Sequence, residues 1–236
     1  ETLLLRGARV LSGGEDLGRP AIFVSGGRIA AIGAEATKKA RGSGCSRLDC
    51  SGYTLTPGFV DLHTHGAAGV DFVEATAAEF EFSMQHYLAH GVTSLLVSLY
   101  PTSWAKSLKV LERVSGFIRQ GHGLGVAFGI HLEGPFVSPA RPGALPRNHF
   151  RSPSLKELRQ LLGAGDGLVR TMTLAPELKG GKGLIQFCRK NGVVPAFGHS
   201  NSDYEGTREA ISHGVRYATH LFNAMNGLHH RSPGAV

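Results

Sequence analysis

The chain has 236 residues, 42% of them apolar, enough for a sizeable core in one large domain, or one plus a small one. No apolar run approaches the ~18–20 residues of a membrane span and no charged-then-apolar leader opens the sequence, so a cytoplasmic protein without membrane contact is expected. The net charge of +7 is scattered, with only small clusters at Lys38-Lys39 with Arg41 and at Arg147 with Arg151, and without a nucleic-acid-binding motif it implies a basic surface suited to an anionic substrate rather than nucleic acid.

Residues 1–54 read as short strands and turns. Apolar runs at Thr2–Leu5, Ala8–Leu11, Ala21–Val24 and Arg28–Ile32 are joined by glycine pairs, which argues for β-hairpins with no helix before Ala34. Cys45 and Cys50, with Cys188 further on, are odd in number and lack metal spacing, so reduced thiols are expected.

From Leu55 the pattern becomes strand, loop, helix, repeated through 55–236. Phe59, Val60 and Leu62 read as a short buried strand entered through Pro57-Gly58. Side chains alternate across a strand, so His63 and His65 face one side. Thr76 caps a helix to His90, with Glu79 three residues on and Phe80, Met84, Tyr87 and Leu88 on one face. Further strands are expected at Val92–Leu99, Gly125–Glu133, Val169–Ala175, Val193–His199 and Tyr217–His220. Helices open near Ser103, Ser154, Leu184 and Asp203.

This alternation implies a parallel sheet, either doubly wound or a (β/α)₈ barrel. His65, Glu133, His199 and His220 end the first, third, fifth and sixth strands. Strand ends converge on one face of a barrel, where active sites are built, so the barrel is preferred. A closed barrel needs about eight strands. Six are counted here, so the barrel is expected either to be open or to continue beyond Val236.

His63, His65, Glu133, His199 and His220 form a ligand set of imidazoles and a carboxylate suited to zinc or iron. Singly, each has an ordinary structural explanation. Jointly, four strands ending in such residues argue for one or two divalent ions and for hydrolysis, since a metal-bound water with a pKa near ~7 is a nucleophile at neutral pH. His131, two residues before Glu133, faces the same side and is a candidate to orient a ligand or water, while His229 and His230 beside Arg231 are candidates to touch substrate.

Five segments carry a resemblance: His63-Thr-His65-Gly66, His131-Leu-Glu-Gly-Pro-Phe136, Leu174-Ala-Pro-Glu177, Gly198-His-Ser-Asn201 and Thr219-His-Leu-Phe-Asn-Ala-Met225. In them the chain resembles the amidohydrolase superfamily and, within it, the N-acetylglucosamine-6-phosphate deacetylases. The resemblance implies a distorted (β/α)₈ TIM-like barrel, about six βα units of it present here, with a small β-sandwich that includes residues 1–54. It implies hydrolysis of N-acetylglucosamine 6-phosphate to glucosamine 6-phosphate and acetate. Glu133, His199 and His220 would hold the main metal, and His63 and His65 match a second-metal pair. Asn223 and Ala224 match a segment whose backbone amides help bind the sugar phosphate. Arg231 matches an arginine reaching the phosphate of a neighbouring subunit's substrate, which implies a homodimer.

The chain departs from the family pattern twice. Gly143-Ala-Leu-Pro146 has Leu145 where the family carries a substrate-contacting His, with His149 a loose substitute. The family's acid/base Asp is expected beyond Val236, and neither Asp61 nor Asp71 fits its motif. Two alternatives stay open: another amidohydrolase acting on a cyclic amide, a urea or an unphosphorylated acetyl-sugar, and a truncated, non-catalytic homologue that binds metal or sugar phosphate.

Overall fold

The computed structural model describes residues 1–236, which fall into two compact units, Glu1–Gly58 and Phe59–Val236. The first unit holds β1 (Thr2–Arg6), β2 (Arg9–Ser12), β3 (Glu15–Asp16), β4 (Ile22–Ser25), β5 (Arg28–Ile32), α1 (Ala34–Ala40), β6 (Ser46–Asp49) and β7 (Thr54–Leu55). The pairs Gly13-Gly14 and Gly26-Gly27, all at positive φ, close the hairpins β2–β3 and β4–β5. The remaining pairings are long-range. β1 lies antiparallel to β4 and parallel to β6, and β7 lies parallel to β2. Ala36 and Ala40 of α1 pack with Leu4 and Phe23 in this unit's own core.

The second unit alternates β8 (Phe59–Thr64), α2 (Ala77–Ala89), β9 (Val92–Leu99), α3 (Trp104–Arg119), β10 (Ala127–Glu133), α4 (Leu155–Ala164), β11 (Val169–Leu174), α5 (Gly181–Lys190), β12 (Val194–Phe197), α6 (Tyr204–His213) and β13 (Tyr217–Ala218). Its six strands form one parallel sheet in the order β13-β12-β11-β10-β9-β8. A doubly wound sheet reverses its strand order at a switch point. This sheet never reverses, which is the wall of a (β/α) barrel.

Local signals set the helices. Thr76 and Glu79 form the reciprocal capping box of α2. Asp203 caps α6 through Gly206 N at 2.8 Å. Phe80, Met84 and Tyr87 are buried as expected, but Leu88 is exposed. At 3.6 residues per turn it lies about 80° around the helix from Phe80, at the margin of the stripe.

The expectation of a buried first strand needs a second correction. Phe59, Val60 and Leu62 do form a strand, but they are 67%, 62% and 39% exposed. β8 is an edge strand paired with β9 alone, so its apolar side chains lack a neighbour on the other flank. No helix is long and apolar enough to cross a membrane.

Candidate metal centre

Glu133 closes β10 and is buried. Its Oε1 lies 3.0 Å from Nε2 of His199 and 3.0 Å from Nε2 of His220, and those two nitrogens are 3.0 Å apart. Its Oε2 lies 3.0 Å from His65 Nε2, while Oε1 is 3.4 Å from His63 Nε2. His63, in β8, and His65, just past its end, point to the same side, and their Nε2 atoms are 3.2 Å apart. All five expected ligand residues therefore converge, as two groups of three that share Glu133.

The opposite ring nitrogens fix the tautomers. Nδ1 of His65, His199 and His220 lies 3.1, 3.1 and 3.2 Å from the carbonyl oxygens of Ser98, Arg141 and Asn223. A carbonyl only accepts, so each Nδ1 carries the proton and each Nε2 of the neutral ring is a bare lone pair. Two lone pairs and a carboxylate oxygen within 3.0 Å of one another repel unless a cation lies among them. Nitrogens about 2.0–2.1 Å from one tetrahedral ion stand about 3.3 Å apart, close to this spacing. His63 Nδ1 is buried without a partner, while its Nε2 joins the cluster. The donor set fits a divalent metal.

The electrostatics agree with that fit. Burial alone would push the Glu133 carboxyl up, but without a metal the surrounding His199, His220, His63 and His65, donating from Nε2 when protonated, hold it well below the ordinary carboxylate range. The hydrogen bond to Glu133 raises His220. Burial works to lower His65, yet the bond and charge of Glu133 leave it raised.

Backbone strain aims two of the ligands. His199 (φ 46°) and His220 (φ 32°) lie just past β12 and β13 in the left-handed region, as do Phe222 (φ 80°) and Ala224 (φ 51°). Such residues cost about 1–3 kcal/mol each and gather at functional sites. Ser138 N and Ser200 N tie these loops to His199 O and Ala224 O at 2.8 and 3.2 Å. Gly143 passes so close that a Cβ there would lie 3.1 Å from His199 Cε1 and 3.2 Å from Ala224 Cβ.

The cluster floors an open cleft of about 730 Å³, walled by Tyr100, Gly143 to Pro146, Asn223 and Ala224. Leu145 is buried in that wall. His149 sits in the 3₁₀ turn Arg147–His149, outside the lining. Asn223 N donates to His220 O at 2.9 Å, so this amide serves the loop itself. His229 and His230 stack on each other, exposed, and neither they nor exposed Arg231 line the cleft. The lining holds no Asp: Asp71 is occupied by Tyr100 OH at 2.6 Å and Val73 N at 2.8 Å.

Several supporting residues escaped the sequence reading. Arg141 bonds the side chains of Asn201 and Asn226 and offers its carbonyl to His199, clamping three loops. Glu177 accepts from Ser200 Oγ and Asn201 N, both at 2.6 Å. The only sequence signal for Glu177 was its place in the Leu174–Glu177 segment, and Arg141 had none.

Residues 54–233 match the amidohydrolase family. A curated relative from Bos taurus, N-acetylglucosamine-6-phosphate deacetylase, is 38% identical over 97% of this chain and 56% of its own length. The Homo sapiens protein of the same name is 37% identical with the same coverage. Among solved structures, a mutant N-acetyl-D-glucosamine-6-phosphate deacetylase from Mycobacterium smegmatis in complex with N-acetyl-D-glucosamine-6-phosphate superposes with a TM-score of 0.87 at 36% identity, covering 100% of this chain and 59% of that one. The chain thus spans little more than half the length of the relatives it matches.

Proposed function

The chain belongs to the amidohydrolase family, and from that premise we propose that it is the metal-holding part of an enzyme that hydrolyses N-acetylglucosamine 6-phosphate to glucosamine 6-phosphate and acetate. The family is metal-dependent, and the carrying observation is Glu133 Oε1 at 3.0 Å from both His199 Nε2 and His220 Nε2, with both Nδ1 atoms committed to carbonyls. We assign these three residues to a first ion and His63 and His65, with Glu133 shared, to a second. Zinc and iron both suit imidazole and carboxylate donors. Such an ion supplies Lewis acidity, lowering the pKa of a water ligand toward neutrality and polarising an amide carbonyl.

The chain's own groups do the holding and positioning. Glu133 is ionised throughout the neutral range and engaged by four imidazoles. It is thus a ligand rather than a proton carrier, and we assign the acid/base step to a group outside residues 1–236. Ala224 N and the Asn223 side chain, on the cleft wall, are the assigned contacts to the sugar phosphate. Arg231, exposed and outside the lining, is assigned to a phosphate across a homodimer, where its planar fork suits phosphate oxygens. The buried apolar Leu145 favours the second reading, an unphosphorylated or differently substituted amide.

Acetate release by the complete, metal-loaded protein tests this. A strong preference for the phosphorylated over the unphosphorylated sugar is the expected result. Equal rates on both would favour the second reading. No release from a protein that still binds metal would reject the deacetylase.

A further inference from the structure

Beneath the ligand layer a second polar chain crosses the sheet, and the proposed hydrolysis gives it no role. Ser98 Oγ accepts the backbone N–H of Thr64 at 3.1 Å and meets His131 Nδ1 at 3.0 Å. His131 Nε2 lies 2.7 Å from Thr173 Oγ1, which lies 2.7 Å from Thr219 Oγ1. Ser98, His131, Thr173 and Thr219 are all 0% exposed. The two ends abut ligand residues. Thr64 stands between His63 and His65, and the Ser98 carbonyl takes His65 Nδ1 at 3.1 Å. Thr219 precedes His220 and is pinned by its N–H to Phe197 O at 2.8 Å.

His131 is wholly buried, and each of its ring nitrogens has a hydroxyl within hydrogen-bond distance. A neutral ring has one donor and one acceptor nitrogen. His131 uses both inside the wall, and its ring packs edge-on against His63 at 4.8 Å. A Leu or Phe would fill the same space without needing hydroxyl partners, whereas an unpaired buried polar group is costly. The chain also links β9 to β10 and β10 to β11, neighbours already paired through their backbones, and from Thr173 it reaches past β12 to Thr219, just after β13.

We infer that His131 is a positioning residue that holds the His65 and His220 sides of the centre at the spacing where Glu133 reaches both. This rests on the reading of those histidines as ligands. Outer partners of ligating histidines set ring orientation, and their loss costs about 10–100-fold in metal affinity.

Asn places its amide near the position of imidazole Nδ1, and Gln near that of Nε2. His131→Asn therefore keeps the Ser98 side of the chain, and His131→Gln keeps the Thr173 side. The readout is the ring-nitrogen NMR spectrum of the complete, metal-free protein, followed by Co²⁺ titration. At alkaline pH, where both rings are neutral, His65 and His220 of the unsubstituted protein are both expected with the proton on Nδ1. His131→Gln should release His65 into tautomer exchange and spare His220, and His131→Asn should do the reverse. Both should weaken Co²⁺ binding by about 10–100-fold. Unchanged tautomers and Co²⁺ affinity in both variants would overturn the inference. So would equal release of both histidines in both variants, the mark of general loosening. If either variant fails to fold, Ser98→Ala and Thr219→Val cut the chain at its two ends and are read by the same criteria. An unsubstituted protein that binds no Co²⁺ would reject the ligand reading instead, and the tautomer pattern would still decide the inference.

Discussion

Glu133 Oε1 and His220 Nε2 stand 3.0 Å apart although 87 positions separate them in sequence. That contact exists because sequential parallel strands bring their C-terminal ends to one face. It joins the third strand of the sheet to the sixth across a shared carboxylate.

Replacing that carboxylate should remove the centre. Glu133→Gln keeps the size but loses the charge and turns an amide N–H₂ toward the cluster. Affinity for Zn²⁺ should fall by more than about 100-fold, beyond the range seen for outer-layer partners. Competition against a chromophoric chelator measures it, and near-normal affinity would remove Glu133 from the ligand set.

Gly143→Ala puts a methyl 3.1 Å from His199 Cε1 at a residue with φ 51°. Backbone strain there costs about 1–3 kcal/mol, and His199 must give way. A lower Tm together with weaker metal binding is expected. A lower Tm with unchanged metal affinity would mean that His199 has room to spare.

The metal-free protein should show an acid-side stability window. His65 and His220 are raised above the ordinary value of 6.5, so their contribution is full below 6.5 and fades as pH rises through the raised value. Glu133 is depressed below the ordinary 4.5, so its contribution is full above 4.5 and fades as pH falls through the depressed value. Both act together between 4.5 and 6.5, but buried His131, pushed down to about 3, costs stability as pH falls below 6.5, so the metal-free Tm should be highest near the upper end of that window. Metal displaces the histidine protons, so the gain in Tm on loading should grow as pH climbs past 6.5. Thermal scans across pH, with and without metal, check both trends.

Arg231→Ala should leave metal content unchanged, because the side chain lies outside the cleft lining. Hydrogen bonds to charged groups contribute about 1.5–3 kcal/mol, so KM for the phosphorylated sugar should rise about 10–100-fold. An unaltered KM would remove Arg231 from phosphate recognition.

What the sequence determined by itself was local or periodic. The Thr76–Glu79 capping box, the helix starts near Ser103, Ser154 and Asp203 and the apolar runs of the six strands follow from near-neighbour chemistry, whereas α5 opens at Gly181, ahead of the expected Leu184 and without a capping side chain. The placement of His63, His65, Glu133, His199 and His220 at strand ends was equally legible, since a parallel sheet turns strand ends into a shared face. The tertiary structure decided what depends on partners far along the chain. It exposed Phe59, Val60 and Leu62, because a strand's burial is set by its neighbours and not by its own pattern. It occupied Asn223 N with His220 O, and it fixed the imidazole tautomers through carbonyls of Ser98, Arg141 and Asn223. It also joined Ser98, His131, Thr173 and Thr219 into one buried chain. Hydrogen bonds act over about 3 Å, and no spacing rule places residues from four different segments within that reach until the sheet has formed.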